Sequence, residues 1–434
     1  MEPSRAVTSD LKTTPYWWDA APRPHLPESA LPQQVDVAVI GSGCTGLTAA
    51  LMLARAGRNV AVLEAGDPGQ GASSRATGVL GRALKHSFSA ILRDEGEASA
   101  KRAYGAARTA FDFILDLIAR EQIDCDLKIC GRFMGANSPA HYDAMARDLE
   151  AKHRHLGDAF KMVSRAEQHR EIASDFFHGG GVIPDHRQLH PGKYQLGLMN
   201  RAREAGAQIH GQTEVTGVRR EAEGFALQTP RGIVRAQHVV AATNGYTGAA
   251  TPYLQRRAVP IDAYMVATEP MAPERLKDLL PNGRTFHDYT INASYGVPSP
   301  YEPRLLFGGL TGERPTDLPG KAAALHSKML AFFPQLADVR FSHIWTGRCA
   351  GTFDLYPHIG EQEGLFYGLG FCFGSGLPIG TWFGDVIARR ILGAKDATTA
   401  FDDLDFTTRF FYWGRPWFMP LVMRYYRWVD RRGF

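Results

Sequence analysis

The sequence predicts a mixed α/β (α+β) protein with two domains, one built on a parallel sheet and one with an antiparallel sheet. Three observations support this prediction. A strand, a glycine-rich turn, a helix and a second strand follow one another between residues 35 and 64. A further strand, glycine loop and helix pattern returns at residues 364–392. Short β-rich runs separated by proline-containing turns occupy residues 251–310, which indicates antiparallel pairing.

Residues 35–64 have the features of a dinucleotide-binding unit. The apolar run at 35–40 suits a buried parallel strand. Gly41 permits a tight turn, Gly43 lets a pyrophosphate approach the backbone, and Gly46 lets the following helix pack close to the strand. Glu64 lies where a carboxylate can accept hydrogen bonds from ribose hydroxyls. The predicted cofactor contacts here are Gly41, Ser42, Gly43, Cys44, Thr45, Gly46, Glu64 and Ala65.

The segment after Glu64 favours FAD over NAD. It reads GASSRATG at 71–78, and such small, hydroxyl-bearing residues can lie flat against an isoalloxazine ring and its ribityl chain. The alternative for this segment alone is a flexible loop. The predicted flavin contacts are Gly71, Ala72, Ser73, Thr77, Gly78 and Val79.

Residues 202–245 support the same cofactor. They read as a helix end, a strand and a hairpin that ends in a glycine-containing turn. This part resembles the sheet extension of glutathione-reductase-like flavoproteins, which implies that the backbone of Val215 contacts the adenine. The turn at Thr243 and Gly245 is expected to approach the same dinucleotide.

A third glycine loop lies near the C-terminus and precedes a helix at 381–392. Its predicted cofactor contacts are Gly374, Gly376, Leu377 and Pro378. A helix N-terminus stabilises the negative charge of a reduced flavin, whereas an NAD dehydrogenase does not need this additional loop. The sequence therefore predicts FAD.

Composition limits the function classes. The net charge of +4 arises from 49 basic and 45 acidic residues without a domain-sized basic patch, which argues against nucleic-acid binding. No apolar run reaches the length of a transmembrane helix, and the polar N-terminus lacks the apolar core of a signal peptide. The cysteines follow neither disulfide nor zinc spacing, so we expect a cytoplasmic protein without a metal site: Cys44, Cys125, Cys130, Cys349 and Cys372.

Together these segments resemble the D-amino-acid oxidase-like (DAO) family of FAD-dependent oxidoreductases, which includes glycine, sarcosine and γ-glutamylputrescine oxidases. The resemblance spans roughly residues 15–425. YWW at 16–18 and GRPWF at 414–418 are most similar to the γ-glutamylputrescine oxidase branch. The motifs that carry the family resemblance are VIGSGCTGL (39–47), LEA (63–65), GASSRATG (71–78), LHPGKY (189–194), VPIDAYMVATEP (259–270), RLLFGG (304–309) and WTGRCAGT (345–352).

The resemblance implies a glutathione-reductase-like Rossmann FAD domain and a substrate domain whose antiparallel sheet covers the flavin. The implied division has an N-terminal extension at 1–34 and a C-terminal aromatic and basic tail at 401–434. The FAD domain would be formed by 35–95, 180–250 and 340–400. The substrate domain would be formed by 96–179 and 251–339.

The resemblance also implies a reaction. Flavin N5 takes a hydride from the carbon beside an amine nitrogen, the imine hydrolyses, and oxygen or another acceptor reoxidises the flavin. The implied partners are a small-molecule amine, with a carboxylate or a polyamine-like chain, and an electron acceptor. The cofactor carries the difficult step, and the protein supplies orientation and electrostatics.

Cys349 matches the cysteine that monomeric sarcosine oxidases bond to the flavin 8α-methyl group, and Thr352 preserves that family's spacing. Arg348 could lower the pKa of this thiol. The alternative is an ordinary small residue on a buried strand with noncovalent FAD, as in many relatives of the γ-glutamylputrescine branch.

Other positions depart from the sarcosine oxidase pattern. Leu306 aligns with a lysine used for oxygen activation, and Leu310 aligns with a histidine. Ser375 replaces the histidine of a Gly-His-Gly loop and can donate a hydrogen bond to the flavin. These departures place rapid oxygen use and small-amine specificity in doubt.

The candidate substrate contacts lie in two regions. Arg82 follows the flavin loop, where it could anchor a carboxylate, with Lys85 and His86 as weaker candidates. Tyr264 and Tyr295 lie in the expected roof, where an aromatic wall suits a neutral amine. The alternatives are solvated charges and ordinary packing. His190 is expected to be structural.

The tail interleaves basic and aromatic residues from Met423 onward. We expect a lid whose aromatic residues pack on the roof while its arginines face water. Two other functions remain open. One is a membrane-associated dehydrogenase that passes electrons to quinone through this tail. The other is a flavoprotein subunit of a multi-subunit dehydrogenase.

Overall fold

The structure, a computed structural model, describes residues 6–313, 317–371 and 375–432. Its strands and helices confirm the α/β class. The strands are β1 (Val7–Lys12), β2 (Gln34–Ile40), β3 (Val60–Leu63), β4 (Val79–Leu80), β5 (Lys128–Ile129), β6 (Arg132–Gly135), β7 (Lys161–Val163), β8 (Gly180–Ile183), β9 (Arg187–Gln188), β10 (Gln208–His210), β11 (Gly217–Glu221), β12 (Gly224–Thr229), β13 (Gly232–Ala241), β14 (Val259–Thr268), β15 (Thr285–Asp288), β16 (Tyr295–Pro298), β17 (Leu305–Gly309), β18 (Phe341–Gly351), β19 (His358–Gln362) and β20 (Leu365–Leu369).

The helices connect the strands or cover the sheets. They are α1 (Trp17–Ala20), α2 (Cys44–Arg55), α3 (Ala72–Arg75), α4 (Phe88–Glu95), α5 (Glu97–Arg120), α6 (Pro139–Leu156), α7 (Pro191–Glu204), α8 (Pro252–Gln255), α9 (Pro273–Leu279), α10 (Leu318–Phe332), α11 (Gly376–Ile391) and α12 (Met419–Arg432). No helix within the described ranges combines the length and apolar character needed to span a bilayer.

The first large sheet is the predicted dinucleotide-type sheet. Strands β10, β3, β2, β13 and β20 are parallel neighbours in that order, and β12 pairs with the other end of β13 in antiparallel fashion. Strand β3 is apolar and buried throughout, and β2 is so from Val37 onward, because helices α2 and α11 cover the sheet.

The second large sheet has nine strands in the order β1-β18-β14-β17-β16-β15-β6-β8-β7. Its side chains alternate strictly between two environments. One face packs against α10 through Tyr264, Phe286 and Phe307. The other face carries Met265, Trp345 and Tyr295, with Leu306 buried between them.

The N-terminal segment is part of this second sheet. Strand β1 pairs in parallel with β18, so the first described residues form a sheet edge. Trp17 is buried and its indole Nε1 donates to the carbonyl oxygen of Ala76 at 2.9 Å. Trp18 Nε1 donates to Ser74 Oγ at 3.0 Å, and Trp345 Nε1 donates to the Arg75 carbonyl at 3.0 Å. Three indole groups therefore hold the segment at 74–76.

The sheets divide the chain somewhat differently from the implied domain boundaries. Strand β18 lies in the range assigned to the FAD domain, yet it pairs along its length with β14 in the nine-stranded sheet. His190 caps the start of α7 by accepting a hydrogen bond from the Lys193 backbone at 3.1 Å, as expected for a structural residue. The domain boundaries themselves stay a prediction.

Candidate active site

A cavity of about 1270 Å³ lies between the two large sheets. One end reaches the start of α2, and the other end reaches β6, β15 and β16. Its lining includes the predicted cofactor residues Gly41, Ser42, Gly43, Cys44, Thr45, Glu64, Ala65, Gly71, Ala72, Ser73, Thr77, Val79, Val215, Thr243, Cys349, Gly376 and Leu377.

The first glycine turn is shaped for a phosphate group. Gly41 has a φ of +100°, a backbone conformation that favours glycine. Gly43 precedes α2 without a capping side chain, so the first turn of the helix faces the cavity through backbone groups. Ser73 Oγ accepts a hydrogen bond from the Cys44 N–H at 3.0 Å, which joins the flavin loop to this turn.

Glu64 lies at the other side of the same turn. Its Oε2 atom accepts hydrogen bonds from the Ser42 N–H at 2.8 Å and from Ser42 Oγ at 2.6 Å. Its Oε1 atom accepts only a longer bond of 3.3 Å from the Gly66 N–H. The carboxylate is therefore held in position beside Val215 in the cavity wall, with capacity to accept further hydrogen bonds.

Several predicted cofactor residues lie behind the lining. A Cβ atom on Gly46 would collide with the Gly41 carbonyl, and one on Gly78 would collide with the Leu189 carbonyl. A Cβ atom on Gly245 would lie 2.5 Å from the Cys349 carbonyl carbon. These glycines permit close packing of the cavity wall. Pro378 is also outside the lining, and Gly374 lies outside the described residues.

The donor set fits FAD. Backbone N–H groups at the glycine turn can donate to a pyrophosphate, and Glu64 can accept from ribose hydroxyls. The small residues at 71–77 leave room for a flat ring. No bulky side chain enters at Gly71, where an added Cβ would come no closer than 3.6 Å to Tyr246.

Cys349 lies on β18 and lines the cavity. Its Sγ atom donates toward the Ile261 carbonyl at 3.6 Å. Arg348, expected as its electrostatic neighbour, instead forms a bidentate ion pair with Asp262 at 2.8 and 3.0 Å. The guanidinium is therefore already engaged by a carboxylate.

Ser375 does not line the cavity, contrary to the predicted contact with flavin. Its hydroxyl is buried against the segment that follows β4. It accepts a hydrogen bond from the Ala83 N–H at 2.9 Å, and it lies 3.0 and 2.8 Å from the carbonyl oxygens of Gly81 and Ala83, to which it can donate. The residue fixes the start of α11 to this segment.

The structure does not bring Arg82 into the cavity either. Its buried guanidinium pairs with Asp185 at 2.7 Å and lies 3.5 Å from Asp158. Lys85 does line the cavity and donates to the Ile291 carbonyl at 3.2 Å. The His86 ring is outside the lining, where its Nε2 donates to the Asp354 carbonyl at 2.7 Å.

The two candidate tyrosines lie on opposite faces of the roof. Tyr264 is fully buried against α10, because it occupies the alternate position between Ala263 and Met265, which line the cavity. Tyr295 lines the cavity. Gly308 opposite leaves room for it, since a Cβ atom there would collide with the Tyr295 ring.

Several polar cavity residues were not predicted from the sequence, among them Arg132, His287 and Asp288. Burial lowers the pKa of Arg132 to about 10 and raises the pKa of Asp288 to about 6. Burial, together with the charge of Arg132, lowers the pKa of His287 to about 4. The available signal was the isolated arginine in GRFMG at 131–135, a strand too short to show a period.

Helix α12 closes one side of the cavity. Met419, Val422, Met423 and Tyr426 line it at helical spacing. Leu421, Tyr425 and Trp428 lie on the exposed face. Asp430 accepts a hydrogen bond from the Ile291 N–H at 2.8 Å and ties the helix to the loop after β15. The position over the cavity matches the expected lid, but the expected packing is only partly present, because Phe418 and Tyr426 line the cavity while Trp417, Tyr425 and Trp428 are exposed. Movement of the lid stays a prediction.

Comparisons with known proteins give a consistent result. The family model for FAD dependent oxidoreductases, DAO, matches residues 36–390. The chain is 27% identical over 395 residues to γ-glutamylputrescine oxidoreductase of Escherichia coli, covering 90% of this chain and 92% of that protein. It is 28% identical over 378 residues to the probable oxidoreductase OrdL of Haemophilus influenzae, covering 86% of each.

Among solved structures, the crystal structure of glycine oxidase from Geobacillus kaustophilus is similar, with a TM-score of 0.71 and 25% identity. The match covers 87% of this chain and 99% of that chain. L-Proline dehydrogenase from P. horikoshii shares the fold, with a TM-score of 0.68 over 84% of this chain and 95% of that chain at 19% identity.

Proposed function

Because the chain belongs to the DAO family of FAD-dependent oxidoreductases, we propose that it oxidises the C–N bond of an amine or amino acid. The confirmed cofactor class is FAD, as the sequence predicted. The relatives include proteins named γ-glutamylputrescine oxidoreductase and glycine oxidase, and these names describe the oxidation of an amine and of an amino acid. The particular amine is part of the proposal.

The observation that supports this proposal best is the continuity of the cavity. A single space extends from the turn at Gly43 to Tyr295 and His287 on the nine-stranded sheet. The residues at the start of α2 would hold the phosphates of a dinucleotide, and the residues of the nine-stranded sheet would line the part of the cavity in which a small substrate is oxidised.

The residues of this chain would orient the reactants and exclude water. FAD supplies hydride acceptance when it is bound. The glycine turn, Glu64 and the segment at 71–79 would hold it, and Tyr295 and Met265 would form the wall that faces a substrate. Helix α12 would exclude bulk water from this wall, which strengthens electrostatic interactions inside the cavity.

We propose a cytoplasmic enzyme, since the four cysteines in the described part of the chain remain thiols. The electron acceptor in this proposal is oxygen or another small acceptor. Leu306 lies at the position expected for an oxygen-activating lysine and is fully buried in an apolar cluster. Slow oxygen use is therefore expected.

The experiment is anaerobic mixing of the purified FAD-containing protein with a panel of primary amines, secondary amines and amino acids. Loss of the flavin absorbance with one class, followed by peroxide formation on admitting air, would support the proposal. Persistent flavin absorbance with every amine, in protein that retains FAD, would contradict it and favour a subunit that requires partner chains.

A second candidate function is favoured by the outer face of the tail. Phe410, Trp413 and Trp417 are exposed together with Leu421 and Tyr425, among several arginines. Such a surface suits an anionic bilayer and a dehydrogenase that reduces quinone. Co-sedimentation with anionic phospholipid vesicles, lost in Leu421→Glu, and quinone-analogue reduction faster than peroxide formation would favour it.

A further inference from the structure

Arg132 is a buried arginine in the cavity wall that lacks an acidic partner. Only 9% of the residue is exposed, and it begins β6 at the end of the cavity remote from α2. Within residues 6–313, 317–371 and 375–432, no carboxylate lies within 4.0 Å of its guanidinium and no side-chain hydrogen bond from it is found. Burying a charge without a partner is costly, so such a group calls for an explanation.

Other arginines of the same region are paired. Arg82 pairs with Asp185 at 2.7 Å, Arg284 pairs with Glu171 at 2.7 Å, and Arg304 pairs with Glu302 at 2.6 Å. These three arginines therefore each have a carboxylate partner. Arg132 differs because its guanidinium faces a cavity rather than an acid.

The neighbours of Arg132 are polar and lie on the same face of the sheet. Arg132 pairs with Thr285, and His287 follows two residues later on the same face. His287 on β15 is in turn the cross-strand partner of Tyr295 on β16. All four residues line the cavity, so the guanidinium begins a polar row that leads to Tyr295.

His287 adds no positive charge to this row. Its Nδ1 donates to the Asp288 carbonyl at 2.8 Å, which leaves Nε2 as an acceptor in the neutral ring. Asp288 does not neutralise Arg132 through an ion pair, and its Oδ1 accepts from Thr290 at 2.8 Å and from the Ser294 N–H at 3.1 Å. Neither neighbour therefore supplies Arg132 with a negatively charged partner.

Resting on the proposed function, we propose that Arg132 binds a carboxylate group of the substrate and thereby selects carboxylate-bearing amines. A planar guanidinium matches a carboxylate with two parallel hydrogen bonds, which are stronger in a buried site. The phosphate cradle lies at the start of α2 on the other sheet, so the cofactor's own charges are held elsewhere. Arg132 is a specificity residue in this proposal.

The test compares two ligands of nearly equal shape, benzoate and benzamide, on the FAD-containing protein. Binding is followed by the perturbation of the flavin absorbance spectrum, and the FAD content of each variant is measured in parallel. Arg132→Met removes the guanidinium. Arg102→Met, at an exposed position on α5, is the matched control.

We expect benzoate to bind the unaltered protein more tightly than benzamide. Arg132→Met should weaken benzoate binding about 10- to 100-fold, with benzamide binding and FAD content unchanged. Arg102→Met should match the unaltered protein. Arg132→Lys keeps the positive charge but lacks the planar guanidinium, so it should lose an intermediate part of the benzoate affinity. This variant replaces Arg132→Met in the test if Arg132→Met does not fold.

Benzoate binding that is equal in Arg132→Met and the unaltered protein would overturn the proposal. Benzoate binding no tighter than benzamide in the unaltered protein would do the same. Loss of FAD together with both ligands in Arg132→Lys would show a structural or cofactor-holding role instead. Failure of the proposed function would give a different result. In that case no amine would reduce the flavin, although the protein would still bind benzoate more tightly than benzamide.

Discussion

Ser42 donates two hydrogen bonds to one carboxylate oxygen of Glu64, from its backbone N–H at 2.8 Å and from its hydroxyl at 2.6 Å. The same hydroxyl accepts from the Gly69 N–H at 2.8 Å. One serine side chain thus links the glycine turn, the acid at the end of β3 and the start of the flavin loop.

Glu64→Gln is expected to weaken FAD binding about 10-fold, because an amide cannot accept with both atoms and its NH₂ group would meet other donors. The measurement is reconstitution of FAD-free protein, followed by flavin fluorescence. Glu223→Gln, on an exposed turn, is the control. Equal FAD affinity in both variants would contradict the assignment of Glu64.

Acid precipitation is expected to leave the flavin in the supernatant. The Cys349 thiol donates toward the Ile261 carbonyl, and Arg348, the expected cationic neighbour, is paired with Asp262 instead. Cys349→Ala should keep the FAD content. Flavin that stays in the pellet and disappears with Cys349→Ala would establish a covalent bond and refute this expectation.

Ser375→Ala should destabilise the protein by about 1–3 kcal/mol, because the Ala83 N–H loses its acceptor and the carbonyls of Gly81 and Ala83 lose the one hydroxyl donor that lies within reach of both. Thermal unfolding of the FAD-loaded protein measures the effect. Ser327→Ala, exposed on α10, should remain within about 0.5 kcal/mol. A midpoint for Ser375→Ala equal to that of the control would argue against the positioning role.

The pH dependence of stability should reflect Asp288. Burial raises its pKa from 3.8 to about 6, so ionisation of this group costs more in the folded state than in the unfolded chain. Its contribution is most favourable below 3.8 and is lost as the pH rises through about 6.

Asp288→Asn should therefore stabilise the protein by about 1–3 kcal/mol near pH 8, with a smaller effect below about pH 5. Unfolding midpoints over this range measure the difference between variant and unaltered protein. Asp278→Asn, exposed on α9, should show no such trend. A pH-independent effect of Asp288→Asn would rule out titration of this carboxyl as the cause.

A glutamate should have different effects at two adjacent positions on α12. Val422→Glu places a charge against the cavity and should raise acrylamide quenching of the bound flavin about two-fold as the helix is displaced. Leu421→Glu faces solvent and should leave the quenching unchanged. Equal quenching in the two variants would show that the helix does not shield the flavin.

Sequence reasoning succeeded where the signal was local. The spacing of Gly41, Gly43 and Glu64 is set within one strand–turn–helix–strand unit, so their common position at the cavity could be predicted. Partners that come from distant parts of the chain were not predictable. The pairing of Arg82 with Asp185, 103 residues away, removes that arginine from the cavity.

Register explains the remaining differences. Tyr264 and Tyr295 both lie in the roof. The pairing of β14 with β17 and β18 decides the face of Tyr264, and the pairing of β16 with β15 and β17 decides that of Tyr295. Arg132 was missed for a related reason. Its strand has four residues, and its place beside Thr285 depends on a parallel pairing between segments about 150 residues apart in sequence.

The three indole hydrogen bonds to residues 74–76 constrain the order of events during biosynthesis. The donors are Trp17 and Trp18 near the start of the chain and Trp345, which the ribosome delivers only after most of the protein has emerged. The first βαβ unit can form early, since its contacts are local. The segment at 74–76 lacks one of its three indole partners until residue 345 has been translated. Stable binding of the cofactor is therefore expected late in synthesis or after it.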